Sequence, residues 1–182
     1  YSPSGDPTSV WCNNNYMLLG VASQRTGTGA MDGAAKATVM LGVCTSGAAN
    51  LADAYTATVN GVVYGDWFLP SKGELNQMYV NKSAIGGFST DFYWSSSESS
   101  DSYAWGQDFY SGIQTNYVKT FTFSVRPVRA FAATLALACA DGGVCAVGDT
   151  GPGGGKVFYV HASGTFACGA TLSSTCKYLE AA

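Results

Sequence analysis

The sequence predicts a single domain of the α+β class, and two patterns carry this prediction. Residues 32–43 and 71–81 repeat apolar side chains at helical spacing, whereas residues 88–131 hold short aromatic runs that alternate as strands do. A chain of 182 residues suits one domain, and at that length folding buries roughly 70% of the unfolded surface. Since 47% of the residues are apolar and 13% are aromatic, the composition is that of a folded chain.

The two helices differ in how sharply the sequence marks them. The first is predicted over residues 32–43, with Gly47 available to end it. The second begins at a capping box, in which Ser71 and Glu74 satisfy each other's backbone N–H groups. Apolar residues then continue this helix to about Asn81.

Strands are predicted in the aromatic region and once more near the end of the chain. The alternation of Phe121, Phe123 and Val125 is the period-two mark of a half-buried strand. The predicted strands are 92–94, 103–110, 118–123, 125–131 and 156–160.

The cysteines predict an oxidising location. Six cysteines are even in number, and two short separations favour local disulfides, which leaves one further pair. The predicted pairs are Cys12 with Cys44, Cys139 with Cys145, and Cys168 with Cys176. A metal site is disfavoured because no CxxC is present and His161 is the only histidine. Disulfides imply a secreted, extracellular protein.

Charge and composition argue against several classes of function. The net charge is −3, and the nine Lys and Arg residues form no basic cluster, so a nucleic acid partner is not expected. No apolar run approaches the ~20 residues of a membrane span, so membrane insertion is not expected either. His161 has no readable Ser or Asp partner and no cysteine lies in a nucleophile context, so we predict neither an enzyme nor a cofactor.

Three segments, in this order, resemble a bacterial family: 65–71 (GDWFLPS), 93–98 (YWSSSE) and 125–129 (VRPVR). The chain resembles the extracellular domain found at the C-terminus of bacterial collagen-like adhesins and repeated in other surface proteins. The resemblance implies a C-type lectin-like fold, with two helices and a twisted antiparallel sheet in which the terminal strands lie together. Phe68 departs from the family, which usually has Arg there, and we expect a changed local hydrogen bond but the same fold.

The resemblance also implies a rotated order of segments. In related sequences a stretch like 148–160 opens the domain, and residues like 178–182 lead into a stretch like 1–15. We therefore predict a body (1–131), a disulfide-bearing linker (132–147), and a glycine-rich first strand with its loop (148–182) that belongs to the next repeat or subunit. The strand expected to complete a neighbouring unit comprises Gly153, Gly154, Gly155, Lys156, Val157, Phe158, Tyr159 and Val160.

Three arrangements explain this order. The chain is one repeat of a tandem array cut out of register, or its last segment completes the next subunit by strand exchange, or the segment folds back onto its own body. The first two are favoured, and both give a head-to-tail series. A head-to-tail contact that does not close into a ring propagates as a filament.

Candidate contact residues lie in the aromatic region. The outward-facing set, which suits stacking on sugars or on a neighbouring subunit, comprises Tyr103, Tyr110, Asn116 and Tyr117. Trp94 and Trp105 are expected in the core. Calcium candidates are Glu98, Asp101 and Asp108, although such residues more often only solvate a loop. Arg126 and Arg129 are expected to form buried pairs with Glu74 or Glu98.

The predicted function is therefore structural. We expect a self-associating extracellular module of a bacterial surface filament, stalk or tandem-repeat protein, whose copies join head-to-tail by strand complementation. The alternative is an adhesin that binds a glycan or a host or cell-surface protein through its loop face. Self-association that survives glycans and chelators distinguishes the first from the second.

Overall fold

The computed structural model describes residues 5–21, 31–132, 139–141, 143–162, 164–170, 172 and 174–182. Over these residues the chain is α+β, as predicted, with short helices and several small sheets. The helices are α1 (Gly33–Leu41), α2 (Ala48–Asp53), α3 (Lys72–Val80) and α4 (Lys82–Ile85). The strands are β1 (Thr8–Ser9), β2 (Ala57–Val59), β3 (Val62–Tyr64), β4 (Phe92–Glu98), β5 (Tyr103–Asp108), β6 (Gln114–Val118), β7 (Phe123–Ser124), β8 (Val128–Phe131), β9 (Lys156–Val160), β10 (Phe166–Cys168), β11 (Ser174–Cys176) and β12 (Tyr178–Ala181).

Two sheets organise the molecule. The larger has the order β1-β7-β4-β5-β6, antiparallel except for the parallel contact of β4 with β7. The smaller has the order β8-β12-β9, so the last strand of the chain lies in its centre. Helices α1 and α3 pack against β4, and α3 and α4 also contact β9. The core therefore runs between the helices and both sheets.

The capping box that begins α3 is confirmed. The Ser71 hydroxyl accepts the Glu74 N–H at 3.3 Å, and the Glu74 carboxylate accepts the Ser71 N–H at 2.7 Å. A second N–H, that of Gly33 at the start of α1, also donates to Glu74 at 3.4 Å. One buried carboxylate thus joins the N-termini of both main helices.

The predicted strand over 118–123 is wrong. Strand β6 ends at Val118, the chain turns, and only Phe123–Ser124 returns to a sheet as β7. Lys119 interrupts the pattern because its side chain is fully buried, and the Phe121 N–H bonds back to the Val118 carbonyl. Phe121 lies in the loop between β6 and β7 and is 49% exposed, so its apolar side chain does not belong to the alternation of a strand.

The aromatic core follows the sequence pattern with one exception. Trp11, Tyr93 and Trp94 are fully buried, and both indole N–H groups bond to backbone carbonyls, those of Ser95 and Ser9. Trp105, expected in the core, is instead partly exposed.

All three predicted disulfides form: Cys12–Cys44, Cys139–Cys145 and Cys168–Cys176. These bonds fit an extracellular protein, because thiols stay reduced in most cytosolic settings. Within the described residues, no helix has the length and apolar character that crossing a membrane requires.

Candidate assembly interface

The described residues of 148–182, called here the C-terminal segment, pack on the described residues of 1–131, called here the body. Strand β12 pairs with β8 of the body, with Leu179 opposite Ala130 and Glu180 opposite Arg129. Its other side pairs with β9. Within this single chain the segment thus folds back onto its own body, and exchange between copies stays a prediction.

Apolar side chains of the C-terminal segment fill the space beneath the smaller sheet. Val157, Phe158 and Leu179 are all fully buried, and Phe158 and Leu179 belong to the main core. Burial of three such side chains stabilises the contact by at most about 5–9 kcal/mol. The Asn81 amide, at the end of α3, donates to the Phe158 carbonyl at 3.0 Å and fixes β9 against the helix.

Arg129 forms the central ion pair of the interface. Its Nη1 donates to Glu180 Oε1 at 2.7 Å, and its other nitrogens donate to the carboxylate of Asp66 at 2.8 and 3.0 Å. Glu180 is fully buried, and burial raises its pKa above the ordinary range, against the opposing effect of Arg129. Arg129 thus shares its charge between a buried and a half-exposed carboxylate.

The prediction that Arg126 and Arg129 pair with Glu74 or Glu98 is wrong. Glu74 is occupied by the two helix N-termini, and Glu98 is occupied by Lys119. The register of β8 and β12 instead places Glu180 opposite Arg129, a long-range pairing that sequence spacing does not reveal.

The glycine run before β9 lies directly over Glu180. A Cβ on Gly151 would lie 2.0 Å from Glu180 Oε2, and one on Gly153 would lie 2.5 Å from Glu180 Oε1. The Gly153 N–H donates to Glu180 Oε1 at 3.0 Å. A Cβ on Gly155 would lie 2.3 Å from the Ala181 carbonyl. Gly155 is therefore required by the backbone of β12, whereas Gly151 and Gly153 leave room for the Glu180 carboxylate in its present position.

Arg126 joins residues from opposite ends of the described chain. Its Nη1 donates to the Ala182 carbonyl at 2.8 Å, and its Nε and Nη2 donate to the carboxylate of Asp6. Asp6 also accepts the Tyr93 hydroxyl at 2.6 Å. The last strand therefore ends beside the segment that leads into β1. The rotated order predicts this neighbourhood.

The candidate contact residues do not form one surface. Register places Tyr103 and Asn116 on one face of the β5–β6 pair and Tyr117 on the other, because side chains alternate along a strand. Tyr117 packs its ring against Phe92 at a centroid distance of 5.0 Å. Tyr110 lies in the turn after β5 and is 78% exposed.

The three calcium candidates have separate environments. Glu98 is fully buried and accepts Lys119 Nζ at 2.6 Å, whereas the Asp108 carboxylate accepts Ser111 and Tyr110 donors within its own turn. Asp101 is exposed and offers its backbone carbonyl to Lys119. Across the described ranges, no group of three or more His, Cys, Asp or Glu side chains is arranged to hold a metal.

Sequence reasoning missed Asp6, Lys119 and Glu180. All three are charged residues whose neighbours are apolar, aromatic or small, and a lone charge in such a run is a usable sign of a buried pair. Their partners lie 120, 21 and 51 residues away, so no local pattern identifies them.

Comparison with known proteins finds no matching family model, no matching curated protein and no matching solved structure. The resemblance to the adhesin domain therefore rests on the three motifs and stays a prediction.

Proposed function

We propose that this protein is a self-associating structural module of a bacterial surface filament, stalk or tandem-repeat protein, with a C-type lectin-like fold. In the assembly, the C-terminal segment of one copy packs on the body of the next through the contacts described above. The support comes from how the disulfides are distributed along the chain.

No disulfide joins the C-terminal segment to the body. Cys12–Cys44 lies within the body, Cys139–Cys145 lies within the linker of residues 132–147, and Cys168–Cys176 lies within the segment. All six cysteines are used in these bonds. The linker is thus the covalent connection between the two parts, and transfer of the segment from one body to another would break no disulfide. This partition is the observation that carries the proposal.

The contacts themselves are indifferent to which copy supplies the segment. Within one chain the segment makes the β8–β12 pairing, the Arg129–Glu180 ion pair and the buried contacts of Phe158 and Leu179. The same contacts would form if the segment came from a second copy, because the two copies are identical. Exchange of an identical element is therefore a low-cost route to association. Because each copy donates one segment and accepts another, the contact is head-to-tail and extends into a filament unless it closes.

A charge-reversal pair tests the proposal. Arg129→Glu places a carboxylate opposite Glu180, and Glu180→Arg places a second guanidinium opposite Arg129, so each variant alone has a repulsive buried contact. In an equimolar mixture, each body meets an oppositely charged segment only when that segment comes from the other variant. We expect either variant alone to remain unassembled and the mixture to assemble, as measured by light scattering and negative-stain microscopy.

The variant that carries both reversals in one chain is the matched control, since it has a complementary pair in either arrangement. It reports whether the reversed pair is tolerated beside Asp66. Assembly of wild type and of this control without assembly of the mixture would refute exchange. So would wild-type protein that stays monomeric at every concentration.

The adhesin alternative is favoured by the face that carries Tyr103 and Asn116. Trp105 lies on the same face, and Lys72 Nζ is 3.2 Å from the centroid of its ring. Lys72 covers one face of the Trp105 ring, so the exposed Tyr103 ring on the same face as the Asn116 amide is the part that suits stacking on a sugar. Saturable binding to a glycan array, lost in Tyr103→Ala and retained in Tyr16→Ala, would support this function.

A further inference from the structure

A lysine ammonium occupies an oxygen-lined cage at the loop end of the larger sheet. Lys119 is fully buried. Its Nζ lies 2.6 Å from Glu98 Oε1, 2.7 Å from the Asp101 carbonyl and 3.0 Å from the Met17 carbonyl. The Trp11 ring lies 4.7 Å away and covers the ammonium on a further side. Every donor position of the ammonium therefore has an oxygen partner.

The cage ties together three segments that are distant in sequence. The Glu98 carboxylate, besides Lys119, accepts the N–H groups of Leu19 and Gly20 at 2.9 and 3.0 Å. Residues 17–20, 98–101 and 119 are thus held at one point. We call the loops that meet there, 13–20, 99–102 and 119–122, the loop face.

The ligand set is of the kind that hard cations take. One carboxylate and two backbone carbonyls are oxygen donors, which Ca²⁺ prefers and collects from flexible loops. Here a positive charge is already present, on the side chain of Lys119. Of the calcium candidates that the sequence suggested, Glu98 thus binds this internal cation through its carboxylate and Asp101 through its backbone carbonyl, whereas Asp108 takes no part.

We propose that the Lys119 ammonium is the resident cation of this cage, and that it holds the loop face in one arrangement without a metal ion. It follows that the cage becomes a divalent-cation site when the ammonium is removed and its space is left open. The proposal is independent of strand exchange, since no residue of the C-terminal segment takes part.

The arrangement of the loop face matters because apolar side chains project from it. Tyr16 is 76% exposed, and Leu18 and Phe121 are also exposed on the loops that the cage joins. A buried ion pair is a poor source of net stability compared with apolar packing, but removal of one partner leaves an uncompensated charge. Lys119 therefore acts as a positioning residue for this exposed surface.

Two substitutions of Lys119 distinguish the effect of losing the charge from the effect of opening the cage. Lys119→Met fills the cage without charge, whereas Lys119→Ala leaves it open to solvent ions. Denaturant unfolding is measured for both and for wild type, in EDTA and in millimolar Ca²⁺. We expect both variants to lose at least about 100-fold in the folding equilibrium constant in EDTA, as for a broken buried pair. Ca²⁺ should restore Lys119→Ala at least tenfold, should leave Lys119→Met unchanged, and should leave wild type unchanged.

The carboxylate is tested by adding Glu98→Gln to Lys119→Ala, which should abolish the Ca²⁺ response. The proposal is overturned if Ca²⁺ or EDTA alters wild-type stability, if Lys119→Ala does not respond to Ca²⁺, or if Lys119→Met is as stable as wild type. Hydrogen exchange in wild type keeps the idea testable if a variant does not fold. The Leu19 and Gly20 amides should exchange slowly and equally in EDTA and Ca²⁺, and fast or cation-dependent exchange contradicts the proposal.

Discussion

At the scale of single residues, this fold depends on charged groups that lie in the core. Glu74, Glu98, Lys119, Arg126 and Glu180 are all buried, and each has a charged partner or backbone N–H donors. Such partners offset the cost of taking a charge out of water, which is otherwise large. The compensation is incomplete at Glu180, whose Oε2 is buried without a hydrogen-bond partner.

Glu74 makes stability depend on pH. Burial raises its pKa to about 7, against the lowering effect of the Ser71 hydrogen bonds. A pKa raised by folding means that the folded protein holds the proton more tightly. The contribution of protonated Glu74 to the free energy of unfolding is thus fully present below the pKa that Glu74 has in the unfolded chain. It is lost as pH rises through about 7.

We expect the difference in unfolding free energy between wild type and Glu74→Gln to change by roughly 3 kcal/mol between pH 4 and pH 8. Wild type loses stability over this window because its carboxylate must ionise in the core, whereas the neutral amide does not titrate. Urea unfolding at several pH values measures this. Parallel curves for the two proteins would show that Glu74 does not titrate in this range.

At the scale of elements, the sequence predicts those that local signals define. The S-x-x-E pattern identifies the start of α3, and the aromatic run predicts β4 and β5. The short separations of Cys139 from Cys145 and of Cys168 from Cys176 predict two disulfides, and Cys12 with Cys44 is the pair that remains. Where long-range contacts decide, local patterns fail. Lys119 turns inward to Glu98 and breaks the strand that Phe121 and Phe123 suggest.

The interface shows the same limit. The sequence predicts that the glycine run and β9 form a strand that completes a fold. It does not show why glycines are needed there, which is that Glu180 and Ala181 lie too close to the glycine backbone. The sequence gives no sign of the register of β12 against β8, nor of Glu180 as the partner of Arg129. The exposed face of β5 and β6 is likewise set by register, which separates Tyr103 from Tyr117.

Gly155 provides a test at this scale. A Cβ there would meet the Ala181 carbonyl at 2.3 Å, and backbone atoms in a paired strand cannot move aside. We expect Gly155→Ala to lower the free energy of unfolding by about 1–3 kcal/mol, since it forces β9 and β12 apart. Gly65→Ala is the control, because the nearest atom to a Cβ there is Thr56 Cγ2 at an ordinary 3.7 Å. Equal stability of both variants in a denaturant titration would contradict this close approach.

At the scale of the whole molecule, the body and the C-terminal segment have complementary surfaces and are connected by the linker. The segment fills the core, pairs with β8 and neutralises Arg129, so the body is incomplete without it. Arg126 places Ala182 beside Asp6, as a rotated order of segments requires. In the proposed assembly, each body would be completed by the segment that another body carries, and the series would then continue from copy to copy.

The most direct test is a disulfide placed across the β8–β12 pair. Ala130 and Leu179 are directly opposed, and the Cα separation of such pairs suits a disulfide. The double variant Ala130→Cys with Leu179→Cys is oxidised under assembly conditions and run on a denaturing, non-reducing gel. Exchange predicts a ladder of covalently linked chains that collapses to one chain on reduction. A single band at the mass of one chain, with the two new cysteines joined to each other, would show that each segment stays on its own body.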